Sequence, residues 1–371
     1  MPKVIVKRAS YDYAVLRPAF FSIMDSLGGN AIKRGSRVVI KPNLLAPAPP
    51  GKAVVTHPLV VKAAAEYVLG KGAAPQISDS PPMGSFERVL KESGIRSALE
   101  GLDVEFREFG ESAAVDIGEP FGKIEIARDA VEADVLINLP KLKTHTQMLL
   151  TLGVKNLFGC IVGLRKPEWH FRTGVDREMF AKLLFRIYNA VKPSFTVLDG
   201  ILAMEGQGPG KGGIPRGIGV LAGGSDAVAL DYAVCGMLGI APERLLTNKA
   251  AKECGMPVEG VEIDGEFPEV PDFRLPGTTS LIFGPRILHG VMRKHFVQRP
   301  VSDRSLCTFC GECGKYCPAK AIKYEREKII FDYDKCIRCY CCVEVCPRGA
   351  LKARETLPGR IVRRAAGRGG V

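Results

Sequence analysis

Cys307-Thr-Phe-Cys310-Gly-Glu-Cys313-Gly-Lys-Tyr-Cys317-Pro318 is the stretch that decides the fold of the C-terminal part of this chain. Its spacing is C-x2-C-x2-C-x3-C-P. The same spacing begins again 29 residues later, in Cys336-Ile-Arg-Cys339-Tyr-Cys-Cys342-Val-Glu-Val-Cys346-Pro347. In such a run three thiolates bind one iron–sulfur cubane, and the fourth cysteine binds the partner cubane. The repeat therefore predicts two iron–sulfur clusters with interleaved ligands.

The repeat also assigns the ligands of the two predicted [4Fe–4S] clusters. The first set is Cys307, Cys310, Cys313 and Cys346. The second set is Cys336, Cys339, Cys342 and Cys317. A zinc ribbon fits poorly, because it uses two CxxC pairs separated by a longer loop. Cys341 breaks the spacing, so we predict that it is a packed thiol near a cluster and not a ligand.

The residues between the two motifs have the pattern of a β-hairpin. Ala321–Glu325 and 328–333 are apolar stretches on either side of a polar turn, which suits two short strands. Residues 302–350 as a whole resemble bacterial ferredoxin modules with two clusters. This resemblance implies electron transfer as the role of the C-terminal domain.

Cysteine usage and charge limit where the chain works and what it binds. Nine of the twelve cysteines fall between 307 and 346, and the first residues lack the apolar core of a signal peptide. We therefore expect metal ligation in the cytoplasm. Of the net charge of +12, +9 comes from residues 286–300 and 351–371, so no specific nucleic-acid surface is indicated. The longest stretches without charge have eleven residues, too few for a membrane span of about 20.

The first 285 residues alternate between apolar strands and amphipathic helices, which predicts an α/β domain. We predict a mostly parallel sheet with helices on both faces, joined to a small C-terminal α+β domain. The predicted strands are 4–6, 38–40, 76–77, 104–106, 135–139, 196–198 and 218–221. The predicted helices are 13–27, 58–69, 85–91, 177–191 and 227–238.

Polar side chains follow several of these strands, and the carboxyl ends of strands are where ligands bind in open α/β sheets. Lysines held there suit a carboxylate or phosphate, and a nearby carboxylate or histidine can move a proton. We therefore predict an anionic small molecule as substrate. The predicted catalytic residues are Lys41, Asp79, Lys143, His145 and Asp199, and Asn43 and Lys141 are predicted to bind substrate.

Two further stretches near this predicted rim are assigned to loops. The glycine-rich residues 205–213 do not match a nucleotide fingerprint, since Gly212 stands where a P-loop needs Ser or Thr after its lysine. We predict that this stretch is a mobile loop over the rim. No sequence motif indicates a flavin. Residues 165–172, rich in Arg and Lys, are also predicted to be a loop, with His170 as a possible lid residue.

Four motifs of the first domain resemble the domain of unknown function 362 family. They are Lys41-Pro-Asn43, Leu139-Pro-Lys-Leu-Lys-Thr-His145, Val154-Lys-Asn-Leu-Phe-Gly159 and Leu198-Asp-Gly200 with the glycine-rich stretch after it. The resemblance covers about residues 1–285, and members often carry a ferredoxin module of this kind. It implies an α/β domain whose chemistry is largely unassigned. Through it, Lys155 and Asn156 join the predicted substrate-binding residues.

The predicted organisation is an α/β domain at 1–285, a linker at 286–301, a ferredoxin-like domain at 302–350 and a basic tail at 351–371. Three functions remain open. In the first, the chain is an oxidoreductase that passes electrons to a bound anion and receives them from a redox partner protein. Alternatively it is a ferredoxin-type carrier or complex subunit, or a non-redox enzyme such as an isomerase with structural clusters.

Overall fold

One large sheet organises the N-terminal domain. The computed structural model describes residues 1–163, 165–174, 176–256, 260–276, 295–326 and 328–366. In chain order the strands of this domain are β1 (Lys3–Arg8), β2 (Arg37–Pro42), β3 (Ala74–Ile77), β4 (Glu105–Phe106), β5 (Ser112–Asp116), β6 (Lys123–Ala127), β7 (Val135–Leu139), β8 (Lys141–His145), β9 (Leu149–Thr151), β10 (Phe195–Gly206), β11 (Gly213–Gly224) and β12 (Glu262–Asp264).

Ten of these strands form the sheet, and most of its neighbours are parallel. The order is β12–β1–β11–β10–β7–β2–β3–β4, with β8 beside β10 and β9 beside β8. Only the pairs β1–β11, β10–β11 and β8–β9 are antiparallel. Strands β5 and β6 form a separate hairpin that the sequence did not indicate. The predicted fold class, a mostly parallel sheet in an α/β domain, is confirmed.

Helices cover both faces of the sheet. They are α1 (Tyr13–Ser26), α2 (Pro58–Gly70), α3 (Phe86–Glu92), α4 (Ile95–Ala98), α5 (Arg128–Val131), α6 (Gly153–Asn156), α7 (Arg165–Thr173), α8 (Arg177–Val191), α9 (Ala227–Met237) and α10 (Leu246–Glu253). Alternate residues of β2 show the two faces, because Val38 and Ile40 belong to the core under α1 and α2, whereas Val39 belongs to the core under α8.

Two segments near the predicted rim differ from the sequence prediction. Residues 165–173 form helix α7, not a loop, and its Trp169 and His170 are buried. Residues 141–145 form strand β8, which pairs with β10 and continues the sheet beyond Pro140. The middle of the glycine-rich stretch is the turn between β10 and β11, and its predicted mobility over the rim stays a prediction.

The C-terminal domain is small and built from hairpins and short helices. Its elements are β13 (Arg299–Ser302), α11 (Glu312–Lys315), β14 (Ile322–Glu325), β15 (Lys328–Phe331), α12 (Cys341–Glu344), β16 (Leu351–Arg354) and α13 (Leu357–Ala366). The predicted hairpin is present as the antiparallel pair β14–β15.

The folded C-terminal domain extends beyond the predicted range 302–350 on both sides. Strand β13 pairs with β16, which joins residues from the predicted linker and from the predicted tail. Residues 355–366 continue into α13, so the segment after 350 begins as folded structure. The end of the predicted first domain and the predicted linker at 286–294 lie outside the described residues. In the described part of the chain no helix is long and apolar enough to cross a membrane.

Candidate active site between the sheet and the cluster domain

The eight predicted cluster cysteines surround two separate cavities in the C-terminal domain. Cys307, Cys310, Cys313 and Cys346 line one cavity of about 340 Å³. Cys317, Cys336, Cys339 and Cys342 line another of about 350 Å³. Each cavity thus brings together three cysteines of one motif and the fourth cysteine of the other. These are the two sets that the spacing predicted.

The arrangement of the thiols fits iron–sulfur clusters better than single metal ions. Among the described residues no group of three or more His, Cys, Asp or Glu side chains could hold one metal ion. Backbone amides donate to the fourth cysteine of each motif, from Ala321 to Cys317 Sγ at 3.3 Å and from Ala350 to Cys346 Sγ at 3.2 Å. Hydrogen bonds to sulfur are one means by which proteins set the potential of such clusters.

A third and larger cavity lies between the sheet and the cluster domain and is partly open to solvent. We call it the interdomain cavity. Its wall on the sheet side includes Lys41, Asn43, Asp79, Lys143, His145, Lys155, Asn156, Lys166 and His170. Its wall on the cluster side includes Tyr316, Cys341, Glu344 and Val345. Seven of the nine predicted rim residues therefore line one cavity.

Lys41 and Asp79 form an ion pair in the wall of this cavity. Lys41 Nζ lies 3.0 Å from Asp79 Oδ1, and both side chains are buried. The other oxygen of Asp79 accepts a hydrogen bond from the backbone N–H of Leu44 at 2.9 Å. Gly159 lies so close that any side chain there would collide with this pair. The pair is therefore held by the β2 and β3 ends and enclosed by the backbone of residue 159.

A chain of amides fixes the position of Lys143. Its ammonium donates to Asn43 Oδ1 at 2.7 Å and to the carbonyl of Val54 at 2.6 Å. Asn43 in turn donates to Asn156 Oδ1 at 2.8 Å, and Asn156 donates to Asn138 Oδ1 at 2.8 Å. Burial, and then the charge of Lys155, hold the pKa of Lys143 well below its ordinary value. Lys143 is therefore a poorly solvated amine.

Lys155 and Lys166 place two further amines in the cavity. Helix α6 carries Lys155, and buried Asp231 fixes its start by accepting from the N–H groups of Gly153 and Val154 at 2.7 and 3.1 Å. Burial lowers the pKa of Lys155, although Glu344 opposes this shift. Lys166 donates to the carbonyl of Ser80 at 2.7 Å, and burial lowers its pKa to about 8.

Two buried histidines face the cluster domain across this cavity. His145 Nε2 lies 3.0 Å from Glu344 Oε1, without the alignment of a hydrogen bond, and His145 Nδ1 accepts from the N–H groups of Gln147 and Met148. Burial lowers the pKa of His145 to about 4 and that of His170 to about 3. Both rings are therefore neutral at pH 7, and His145 carries its proton on Nε2 towards Glu344.

Lys141 and Asp199, in contrast, are not among the residues that line the cavity. Lys141 Nζ lies 2.7 Å from Asp199 Oδ2 and 2.8 Å from Tyr11 Oη, and both charged side chains are fully buried. Asp199 also accepts from the backbone N–H of His57 at 2.9 Å. This pair therefore ties β8 and β10 to the start of α2, and the prediction that both residues belong to the ligand site is revised.

The sequence missed the part of the site that the cluster domain supplies. Nothing in the spacing of Tyr316, Cys341 and Glu344 shows which surface they face. The sequence predicts a loop at Lys166 and His170, although Lys166, Trp169 and Thr173, at steps of three and four residues, are the signal of a buried helix face. Asp231, inside α9, gave no signal in the sequence.

Comparison with known proteins identifies the two halves of the chain. The model of a family described as a domain of unknown function (DUF362) matches residues 38–236, more than half of the chain. The chain belongs to the DUF362 family. The model of a 4Fe-4S dicluster domain matches residues 299–347. This DUF362 chain is therefore an iron–sulfur protein with a ferredoxin-like C-terminal domain.

Among curated proteins, the chain is similar to the "Thylakoid-associated protein sll1697" of Synechocystis sp., with 36% identity over 310 residues, which cover 81% of this chain and 95% of that protein. The cluster domain alone is similar to "Pyruvate synthase subunit PorD" of Thermotoga maritima, with 39% identity over 59 residues, which cover 16% of this chain and 60% of that subunit. Among solved structures, the lactate racemase apoprotein of Thermoanaerobacterium thermosaccharolyticum matches with a TM-score of 0.40 and 14% identity. The match covers 64% of this chain and 57% of that chain, and the likeness is slight.

Proposed function

We propose that this protein is an oxidoreductase that passes electrons through two [4Fe–4S] clusters to an anionic small molecule bound in the interdomain cavity. One observation carries the proposal. Helix α12 and the residues after it hold Cys342 of one thiol set and Cys346 of the other, and the intervening Glu344 and Val345 line the cavity together with the lysines of the sheet. An anion held by those lysines would therefore lie beside the cluster domain.

Cys341 lines the interdomain cavity and is the chain neighbour of Cys342, which belongs to the set Cys317, Cys336, Cys339 and Cys342. We infer that this second thiol set is the nearer one to the ligand. When bound there, [4Fe–4S] clusters supply one-electron transfer. Cys341 itself stays assigned as a packed thiol between that set and the cavity.

The residues of the sheet would bind the substrate and manage its protons. Lys143, Lys155 and Lys166 offer positive charge, while buried Lys41 and Asp79 already compensate each other. His145, with its Nε2 proton facing Glu344, is placed to donate a hydrogen bond to an anion in the cavity. Lys166, whose pKa burial lowers to about 8, is placed to give a proton to such a molecule. Closure of the cavity by the cluster domain would keep water away from this exchange.

The other thiol set would receive electrons from a redox partner protein in the cytoplasm. Its Cys310 is exposed, and the exposed apolar side chains of Phe309 and Tyr324 line the same cluster cavity. The exposed Arg304 and Lys323 belong to the same domain and would favour a partner with an acidic surface. Replacing Phe309 by Glu should slow reduction by an acidic ferredoxin and leave reduction by dithionite unchanged.

The alternatives make different predictions for one experiment. The protein is purified without oxygen, and small molecules that remain bound are identified by mass spectrometry. The dithionite-reduced protein, freed of excess reductant, is then mixed with each identified anion, and cluster absorbance is followed. Reoxidation of the clusters with a reduced product supports the oxidoreductase. Chemical conversion of the anion with no change in cluster absorbance would support the non-redox enzyme. No bound anion and no reoxidation would support the electron carrier.

A further inference from the structure

The charges that line the interdomain cavity fall into two groups. Lys166 donates to the carbonyl of Ser80, next to the ion pair of Lys41 and Asp79. Lys143 is joined through Asn43 to Asn156, the neighbour of Lys155, and Glu344 lies on the facing wall. Each group holds two lysines and one carboxylate, so each has a formal charge of +1. His145 and His170, which also line the cavity, are neutral at pH 7 because burial lowers both pKa values. The cavity therefore has a formal excess of two positive charges, divided equally between two places.

The lysines keep unused hydrogen-bond donors for a ligand. An ammonium group has three N–H donors. Lys143 uses two of them, on Asn43 and Val54, and Lys166 uses one, on Ser80. Lys155 has no hydrogen-bond or ion-pair partner within the described part of the chain, although it is half-buried. Repulsion between Lys143 and Lys155 in this poorly solvated place calls for an anion between them.

Two uncharged polar atoms in the same wall also lack partners. Thr151 Oγ1 and His170 Nδ1 are buried and have no hydrogen-bond partner among the described residues, although both residues line the cavity. Buried polar groups in proteins are nearly always paired. A ligand with polar oxygens would supply the missing contacts, which is a second reason, independent of charge, to expect an occupant here.

We infer that the interdomain cavity binds a small dicarboxylate, with one carboxylate at Lys143 and Lys155 and the other at Lys166. The inference rests on the proposed function, since it names the substrate class of the same site. A dicarboxylate compensates both groups of charge at once, whereas a phosphate would place its two charges at one group. The glycine-rich turn offers no phosphate cradle here, because its Gly210 packs against the Glu344 backbone.

The inference is tested by calorimetry on the anaerobic full-length protein. The probes are unbranched dicarboxylates from malonate to adipate, the monocarboxylates of matching length, and inorganic phosphate. We expect one dicarboxylate length to bind at least tenfold more tightly than its monocarboxylate and than phosphate. Equal affinity for a dicarboxylate and its monocarboxylate overturns the inference, and so does tighter binding of phosphate.

Variants locate the two carboxylates. Lys155→Met and Lys166→Met should each lower the affinity for the preferred dicarboxylate at least tenfold and leave the affinity for the monocarboxylate less affected. Lys123 is an exposed lysine of β6 and is not among the residues that line the cavity. Lys123→Met is therefore the matched control and should bind the dicarboxylate as the wild type does. If a methionine variant does not fold, the corresponding Gln variant and the wild-type length series still decide the outcome.

The readouts separate this inference from the proposed function. Dicarboxylate binding without any exchange of electrons with the clusters would support the site and contradict the oxidoreductase. Reoxidation of reduced clusters by an anion that is not a dicarboxylate would support the oxidoreductase and overturn the dicarboxylate assignment.

Discussion

Lys141 and Lys143 lie two residues apart on β8 and have different roles in the structure. Residues at this spacing share one face of a strand, so a sequence pattern predicts the same role for both. The separation comes from β10, whose register with β8 is irregular between Asp199 and Met204. As a result Lys141 meets Asp199, whereas Lys143 meets Asn43 in the cavity wall. A single-sequence pattern cannot show such an irregularity in a partner strand.

This difference predicts that the same substitution lowers folding stability at Lys141 and anion affinity at Lys143. Lys141→Met would leave Asp199 buried without its cation, and we expect the free energy of unfolding to fall by about 3–5 kcal/mol. Lys143→Met would remove a charged donor to the ligand, and we expect the binding free energy of an anion to weaken by about 1–3 kcal/mol. Denaturant unfolding and calorimetry measure the two quantities. Loss of anion binding in a stably folded Lys141 variant would return Lys141 to the ligand site.

His170 makes stability depend on pH. Burial lowers its pKa to about 3 in the folded protein, against about 6.5 in an unfolded chain. Between these values the unfolded state binds more protons, so the free energy of unfolding must fall as the pH falls below about 6.5. From pH 7.5 to 5 the contribution of this one group is about 2 kcal/mol.

The His170→Asn variant isolates that contribution, because asparagine keeps a polar side chain and does not titrate. Denaturant unfolding of both proteins without oxygen, at pH 7.5 and at pH 5, gives the comparison. We expect the wild type to lose about 2 kcal/mol more than the variant over this range. Equal losses would show that His170 is solvated or already paired in the folded state.

At the scale of elements, the strands and long helices were predictable and the short connecting segments were not. Periodicity identified 177–191 as a helix because its buried residues recur every three to four positions, and the structure has α8 at those residues. Helix α6 has only four residues and is held by Asp231 from α9, a contact between distant parts of the chain. Local patterns carry no information on such contacts, which is why Lys155 and Asn156 entered only through a family resemblance.

The glycine-rich turn between β10 and β11 joins the two domains. A Cβ at Gly210 would lie 2.9 Å from the backbone oxygen of Glu344, and Gly349 of the cluster domain packs against the backbone of Lys211 and Gly212. The glycines therefore allow close approach of two backbones, which explains a motif that resembles a phosphate loop but lacks its Ser or Thr.

We expect Gly210→Ala to loosen this contact and to lower stability by about 1–3 kcal/mol, the scale of a forced overlap. Hydrogen exchange of residues 341–345 should become faster, while iron content stays that of the wild type. Gly217→Ala, on the strand β11 that follows the turn, is the matched control, since a Cβ there would meet nothing within 4 Å. Unchanged exchange at 341–345 in the Gly210 variant would mean that the turn does not hold the cluster domain.

At the scale of the whole molecule, each domain could be predicted separately, but the site between them could not. Cysteine spacing is local and predicted both thiol sets. The ends of the strands predicted five of the residues that line the cavity, and the family resemblance added Lys155 and Asn156. Glu344 and Cys341 complete the cavity although they lie more than 150 residues beyond His170 in the chain, and no periodicity encodes which surface docks on which. The composition of the cavity therefore became visible only when both domains were placed together.

That placement gives the interleaved ligands a measurable consequence. Cys346→Ser should remove the cluster that Cys346 shares with Cys307, Cys310 and Cys313. It should spare the cluster at Cys317, Cys336, Cys339 and Cys342, although three of these cysteines belong to the same motif as Cys346. We expect about half of the iron and acid-labile sulfide of the wild type in anaerobically reconstituted protein. The control is Cys341→Ser, which should keep the full content because Cys341 lines the interdomain cavity and neither cluster cavity. Loss of all iron in both variants would contradict the assignment.

Anion binding and cluster reduction should be coupled through the shared wall of the interdomain cavity. Reduction adds one negative charge to a cluster, and an anion beside Cys341 and Glu344 would oppose that charge. We therefore expect a bound anion to lower the reduction potential of the cluster at Cys317, Cys336, Cys339 and Cys342. Linkage then requires reduced protein to bind the anion more weakly by the same free energy, and a shift of about 60 mV corresponds to a tenfold change in affinity. Redox titration with and without a saturating dicarboxylate measures the shift, and Lys155→Met should reduce it. Identical reduction potentials with and without the bound anion would mean that anion binding and cluster reduction are not coupled.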